Sequence, residues 1–169
     1  MRVELTEEPL PCAKSTYDRY YSFYYTANHV WHSEKIHTLF NLRDDFKIII
    51  QDSLGEVIDI ICTDFGKITS VAFRNKIDIS YEFSRKPVVE NVDRSRLALV
   101  DGYCEGNYNV DIIKTTAFPR QDGKIDILLS FSKQQDETWF PISKSAFVSV
   151  DENMEAVSFL FVGVEYIDD

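Results

Sequence analysis

Residues 46–73, FKIIIQDSLGEVIDIICTDFGKITSVAF, indicate antiparallel β-structure. Three runs rich in Ile, Val and Phe are separated by two short segments, 52–55 and 64–67, each of which contains Asp and Gly. Apolar and polar residues alternate within the runs, as they do in strands that bury one face. Turn residues that recur every ~8 to 12 positions are typical of sandwiches and barrels. This stretch therefore predicts a meander of short strands.

The pattern continues towards the C-terminus. Residues 77–83 alternate between apolar and polar types and predict a strand. Its residues expected on the core side are Ile77, Ile79, Tyr81 and Phe83. The charged stretch 84–96 breaks the alternation and predicts a long connection. Further strands are predicted at 97–103, 108–117, 124–132, 145–150 and 156–166. The pair Asp122-Gly123 predicts a hairpin turn between two of them.

The first 45 residues show the spacing of a helix, about 3.6 residues, instead of the two-residue alternation of a strand. Four tyrosines recur at the spacing i, i+3, i+4, i+7, which places them on one face of a helix. They are Tyr17, Tyr20, Tyr21 and Tyr24. Ser15 and Asp18 form a Ser-x-x-Asp capping box in front of them. The spacing predicts an amphipathic helix over 16–27, and a Ser33 cap predicts a second, short helix over 33–45.

The predicted fold class is therefore α+β. One or two N-terminal helices pack on a mainly antiparallel sheet, which is a sandwich or half-barrel of about 8–10 strands. We expect a single domain over residues 1–169, with a helical N-terminal segment 1–45 and an antiparallel β region 46–169. The chain is 44% hydrophobic and 14% aromatic, enough to fill a core, and this composition argues against disorder.

The net charge, the start of the sequence and the cysteines limit the classes of partner and the cellular compartment that we expect. With 28 acidic and 18 basic residues the net charge is −10, which opposes binding to nucleic acid. The start of the sequence lacks the apolar run of an export signal, and no run of apolar residues is long enough to span a membrane. Three widely spaced cysteines, Cys12, Cys62 and Cys104, are an odd number and fit a reducing compartment. We expect a cytoplasmic protein without direct nucleic-acid or membrane contacts; its oligomeric state is left open.

No catalytic or metal-binding motif in the sequence predicts an active site or a cofactor. The sequence contains no nucleophile elbow, no Gly-rich phosphate loop and no paired Cys-x-x-Cys. His29, His32 and His37 lie close together, but no suitable carboxylate or cysteine completes a metal site, so we predict no metal. Cys104 is the one cysteine expected on a loop, and the adjacent Glu105 would raise its pKa and oppose thiolate formation. The sequence therefore predicts a protein that is not an enzyme.

The acidity is concentrated near the C-terminal end of the sequence. Residues 134–169 contain eight acidic residues and one basic residue, Lys144. Such a charge run is often only a solvated face, but Trp139 lies within it, and an exposed tryptophan among acids is typical of a protein-binding patch. The predicted partner-binding residues are Asp136, Glu137, Trp139, Asp151, Glu152 and Glu155.

These observations favour a non-catalytic acidic binding protein that neutralises a basic protein, as an immunity protein does when it inhibits a nuclease toxin. One alternative is a small-ligand-binding or isomerase/hydratase-like protein whose pocket is lined by aromatic residues. The residues expected to line that pocket are Tyr17, Tyr20, Tyr24, Trp31 and Phe40. Another alternative is a secretion chaperone or structural subunit, which would expose a large apolar face for dimerisation.

Overall fold

The computed structural model describes residues 1–18, 20–28, 46–63, 65–75, 77–82, 86–101, 105–131 and 138–167. Within these ranges the chain forms fourteen strands and no helix. The strands are β1 (Val3–Thr6), β2 (Cys12–Asp18), β3 (Ser22–Asn28), β4 (Phe46–Asp52), β5 (Val57–Cys62), β6 (Ile68–Arg74), β7 (Asp78–Ile79), β8 (Leu97–Val100), β9 (Gly106–Val110), β10 (Lys114–Pro119), β11 (Ile125–Ser130), β12 (Thr138–Pro141), β13 (Ala146–Val150) and β14 (Ala156–Ile167).

Twelve of the strands form one sheet that curls into a half-barrel. Its main path runs in the order β7-β10-β11-β14-β2-β3-β6-β5-β4-β9, with β13 and then β12 added beside β14. The strands β1 and β8 pair separately. Most neighbours are antiparallel; the pairs β10–β7, β14–β2 and β4–β9 are parallel. The predicted mainly antiparallel sheet is confirmed.

Alternation of residue type produces the core. In β4, Phe46, Ile48 and Ile50 are buried while Lys47 and Gln51 are exposed, so one face of the strand meets the interior and the other meets water. Rings from β3, β6 and β14 fill the centre of the half-barrel. They belong to Phe23, Tyr25, Phe73, Phe159 and Phe161. Burial of each such side chain contributes about 1.5–3 kcal/mol relative to exposure.

The predicted α+β class, with its helical N-terminal segment, is wrong, since the described residues contain no helix. The helix predicted over 16–27 is replaced by strands. Its residues belong to the antiparallel hairpin of β2 and β3, where Tyr17 lies opposite Phe23. Both of these side chains are buried, whereas Tyr24 is exposed on the other face. Tyrosine, phenylalanine and threonine favour strands. Burial of alternate residues from both strands also stabilises the hairpin, and this contribution exceeds the packing that a row of tyrosines would give a helix.

The turn of this hairpin contains neither Gly nor Pro, so the sequence lacks the usual turn signal there. The backbone N–H groups of Tyr20 and Ser22 donate to Asp18 Oδ1 at 2.8 and 3.0 Å. Asp18 therefore closes a turn instead of capping a helix. Tyr21 takes a left-handed backbone conformation with φ 65°, which is uncommon for a bulky residue.

Three other predictions are affected. The second predicted helix, 33–45, lies outside the described residues. The predicted strand over 77–83 is largely wrong: among its described residues, 77–82, only Asp78–Ile79 forms a strand, at the edge of the sheet, and both Ile79 and Tyr81 are exposed. The strand predicted over 108–117 divides into β9 and β10 at a corner.

That corner is held by the buried carboxylate of Asp52. Its Oδ1 accepts the backbone N–H groups of Leu54 and Glu56, and its Oδ2 accepts that of Ile113, each at 2.9 Å. Burial raises the pKa of Asp52, but the backbone N–H groups donated to the charged form outweigh burial and lower the pKa overall. Asp52 thereby joins the β4–β5 turn to the connection between β9 and β10.

Residues 86–96, here called the strap, cover the outer face of the sheet. Val89 of the strap packs with Phe147 of β13 and Leu160 of β14 in a second apolar cluster, separate from the main core. The guanidinium of Arg94 lies 5.4 Å from the centroid of the Phe147 ring, and its Nη1 donates to the carbonyl of Lys144 at 3.3 Å. The long connection predicted from the sequence thus packs on the outer face of the sheet.

Candidate functional site

The turn between β13 and β14 places three of the predicted partner-binding residues together. Asp151 Oδ1 accepts the backbone N–H groups of Asn153 and Glu155 at 2.9 and 2.8 Å, which fixes the turn. Glu152 is exposed at its tip. Glu155 Oε2 lies 2.6 Å from the amino group of Met1. Two of the three acids therefore shape the turn, and Glu152 projects into solvent.

Neighbouring strands add two more carboxylates to this end of the molecule. Arg2 forms a β-bridge with Glu155, and the backbone N–H of Asp101 donates to the Arg2 carbonyl at 3.0 Å. Glu4 follows in β1 and is exposed. We call the resulting set the acidic end. It consists of Glu4, Asp101, Asp151, Glu152 and Glu155.

The other predicted partner-binding residues are placed differently. Trp139 is half-buried in β12, opposite Ser149, and packs with Phe147 and Leu160 in the second apolar cluster. Its side chain therefore packs on the strap side of the sheet. Asp136 and Glu137 lie outside the described residues.

An apolar groove lies at a different place, between the turn of the β2–β3 hairpin, β7 and the ends of β11 and β14. It encloses about 490 Å³. Three tyrosines line it, Tyr17, Tyr21 and Tyr166, and the ring centroids of Tyr17 and Tyr166 are 6.1 Å apart. The remaining lining residues are Ile77, Ile79, Ala117, Pro119, Gly123 and Ile125. We call this the tyrosine groove.

The tyrosine groove partly matches the aromatic pocket expected from the sequence. Tyr17 lines it, but it is an open groove instead of a closed cavity. Tyr20 and Tyr24 are exposed and are not among its lining residues. Trp31 and Phe40 lie outside the described residues. Tyr21 and Tyr166 were not predicted as pocket residues, because the helical assignment hid the turn and because Tyr166 comes from the far end of the chain.

Burial raises the pKa of Tyr17 to about 12, since desolvation disfavours the phenolate. The nearby Asp18, Tyr21 and Tyr166 act in the same direction, and the hydroxyl donates to the Asn75 carbonyl at 3.2 Å. Tyr17 therefore stays protonated at neutral pH. It can contribute a ring surface and a hydroxyl to a ligand, but it is a weak acid or base for proton transfer.

A charged network on the outer face was not predicted from the sequence. Asp126 of β11 is fully buried, and its Oδ1 accepts Arg120 Nη1 at 3.2 Å and the backbone N–H of Gly163 at 2.8 Å. Its Oδ2 forms an ion pair with Lys86 of the strap. In the sequence Asp126 occupies the polar position of an alternating strand, so nothing distinguishes it from a solvated aspartate.

The described residues contain neither a cluster of metal ligands nor a membrane-spanning helix. Within the part of the chain that the structure describes, no three His, Cys, Asp or Glu side chains come together as a metal site would require. His29, His32, His37 and Cys104 lie outside that part. No helix of the described ranges is long and apolar enough to cross a membrane. Cys62 is buried in the core and Cys12 is exposed.

Comparison with known proteins gives no family for this chain. No protein-family model matches the sequence, and no curated protein matches it.

Proposed function

We propose that this chain is a non-catalytic cytoplasmic protein that binds and neutralises a basic protein, as an immunity protein inhibits a nuclease toxin. The acidic end is the observation that carries the proposal. There, five acidic residues lie on backbone segments that meet at Arg2, and the Glu155 carboxylate pairs with the Met1 amino group. Carboxylates presented in this way substitute for the phosphates that a nuclease binds, and a negative surface accelerates capture of a basic partner.

The rigidity of the acidic end supports a binding role. The two hydrogen bonds to Asp151 and the contact of Glu155 with the Met1 amino group fix the turn before any partner arrives. A preorganised turn loses little conformational entropy on binding, so more of the interaction energy appears as affinity. The raised pKa of Tyr17 also favours binding over acid–base catalysis at the tyrosine groove.

The proposal is tested by capturing basic proteins from the native host and measuring binding of the purified partner over a salt series. We expect the affinity to fall steeply with salt. Neutralising three members of the acidic end, Glu4, Asp101 and Glu152, as E4Q, D101N and E152Q, should lower the low-salt affinity about tenfold or more, mainly through the association rate. For a toxin, the triple variant should also protect less well against its nuclease activity.

The matched control is E90Q, which removes one exposed carboxylate from the strap and leaves the acidic end intact. We expect E90Q to bind as the wild type does. If the triple variant leaves the affinity unchanged, or if E90Q lowers it by the same factor, the acidic end is not part of the interface.

The tyrosine groove favours a second candidate function, the binding of a small apolar ligand. Its volume of about 490 Å³ lies within the range of ligand sites, and most of its lining is apolar. Tyr21 and Tyr166 are each about half exposed, so their rings are available to a planar ligand. Aromatic rings stack on such ligands at centroid distances of about 4.5–7 Å.

Titration with the neutral dye Nile red, followed by fluorescence, tests the groove. We expect Y166S to weaken dye binding about tenfold, because the ligand loses one aromatic wall. The matched control is Y81S, since Tyr81 is more exposed and does not line the groove. Equal effects of Y166S and Y81S would mean that the dye binds elsewhere.

A further inference from the structure

Strand β14 pairs with β11 along one edge, and along its other edge its partner changes from β13 to β2. A cavity lies where the partner changes. Residues 156–161 of β14 pair with β13, whereas Glu165–Ile167 pair with β2. At the join, the backbone N–H of Val162 still donates to the Ser145 carbonyl, at 2.8 Å. The cavity next to this join encloses about 340 Å³, and we call it the seam cavity.

Gly163 forms part of the cavity lining. A Cβ atom at this position would meet one atom within 4 Å among the described residues, Lys124 Cδ at 3.8 Å, so the missing side chain leaves space. Its φ of +71° lets β14 bend between its two neighbours. Its N–H donates to the buried Asp126, which holds the lining in place.

Arg120 is presented to the cavity by the same buried carboxylate. Asp126 binds Nη1 of the guanidinium at 3.2 Å, and the exposed Asp122 binds its Nε at 3.3 Å. A guanidinium has five N–H donors in a rigid fork, so these two contacts leave donors for a third group. Arg120 is thus preorganised at the cavity, as an oxyanion-binding arginine must be.

Two lysines add positive charge at the mouth. Lys14 Nζ and Lys124 Nζ lie 3.4 and 3.6 Å from the two carboxylate oxygens of Glu165. All three side chains are substantially exposed, so these ion pairs are weak and can exchange with a ligand. Three cationic and two anionic side chains line the cavity, which gives it a local positive balance in a chain of net charge −10.

A buried hydroxyl completes the lining. Ser15 of β2 lines the cavity and is 6% exposed. Its Oγ makes no hydrogen bond with any residue in the described ranges. Because this oxygen has almost no exposed surface, a ligand in the cavity does not reach it, and Ser15 contributes to the lining but donates nothing to the ligand.

From this arrangement we infer that the seam cavity binds a compact oxyanion, a phosphate or carboxylate group. Arg120 supplies a planar fork, and Lys14 and Lys124 supply point charges. Phosphate and carboxylate share the geometry that an arginine fork recognises. The inference is independent of the proposed basic partner, because the acidic end and the seam cavity share no residue.

NMR titration of the intact chain with inorganic phosphate, and separately with acetate, tests the inference. Sodium chloride at equal ionic strength serves as the reference. We expect saturable amide shifts confined to the cavity, at Ser15, Arg120, Lys124, Ser145 and Gly163. Saturation by phosphate alone would assign the ligand as a phosphate, and saturation by acetate as well would assign a general oxyanion.

Three variants separate a site from general screening. We expect K124Q and K14Q each to raise the dissociation constant for phosphate about fivefold, because each removes one cationic group from the cavity. The matched control K47Q removes an exposed lysine that pairs with Asp59 at 2.9 Å on the β4–β5 hairpin, and it should leave binding unchanged. Shifts that chloride reproduces, or phosphate binding that K14Q and K124Q leave unchanged, would overturn the inference.

Discussion

Replacement of Gly66 by alanine is expected to lower the free energy of unfolding by about 4 kcal/mol. A Cβ atom at Gly66 would lie 2.0 Å from the carbonyl oxygen of Val100 in β8, and backbone cannot move aside as a flexible side chain can. The same two residues are joined by a hydrogen bond from the Val100 N–H to the Gly66 carbonyl at 2.8 Å. Gly66 also has φ +78°, a conformation that alanine rarely adopts. Urea denaturation measures the loss.

The matched control for this change is G123A. Gly123 has φ +80°, but no atom of the described residues lies within 4 Å of the position that the alanine methyl group would take. G123A should therefore show only the conformational cost, about 1–2 kcal/mol. The difference between the two variants isolates the steric overlap with β8. If G66A and G123A are equally destabilised, the close approach of Gly66 to Val100 is wrong.

Replacement of Asp126 by alanine is expected to lower the free energy of unfolding by about 3–5 kcal/mol. The change removes the acceptor for the Gly163 N–H and leaves the Lys86 ammonium, which is largely buried, without its anion. Arg120 loses the contact that positions it. We therefore expect the strap to detach from the outer face more readily. Urea denaturation, together with hydrogen exchange over residues 86–96, measures both effects.

The control D122A removes the other carboxylate that binds Arg120. Asp122 is exposed, so its ion pair with Arg120 is screened by solvent, but its Oδ1 also accepts the backbone N–H of Lys124 at 3.2 Å. We expect a small loss of stability, well below that of D126A. K86M removes the Lys86 charge alone and leaves Arg120 and the Gly163 N–H in contact with Asp126, because methionine retains most of the side-chain volume. Similar stabilities of D126A and D122A would contradict a structural role for the buried carboxylate.

The regular part of the sheet was predictable because its local signals agree with its tertiary structure. Residues 46–73 alternate, their turns contain Gly and Asp, and the strands β4, β5 and β6 lie close to the predicted positions. The turn at Asp122-Gly123 was also predicted. There the backbone N–H of Gly123 donates to the Arg120 carbonyl at 3.3 Å, in the connection between β10 and β11.

The N-terminal hairpin could not be recognised from local signals. The tyrosine spacing that suggests a helix spans two strands and a turn, and Tyr21 occupies a left-handed position where Gly or Asn is usual. The sheet partners of this hairpin, β6 and β14, are distant in sequence. Only the tertiary structure shows that Tyr17 and Phe23 share one interior face.

The candidate sites divide in the same way. Glu152 at the turn tip was predicted, because a short acidic connection between two strands is a local feature. The tyrosine groove and the seam cavity were not, because each combines residues from distant parts of the sequence. Trp139 shows the converse: its acidic neighbours in the sequence suggested exposure, but its ring packs in the second apolar cluster.

The parallel pairing of β2 with β14 also sets the order in which the sheet can be completed during synthesis. Thr16 lies opposite Glu165, so this pair joins segments about 150 residues apart. The hairpin of β2 and β3 can pair with β6 early, while the other edge of β2 has no partner until β14 leaves the ribosome. Unpaired strand edges are templates for association with other chains. The open edge of β2 is therefore an aggregation hazard of the nascent chain.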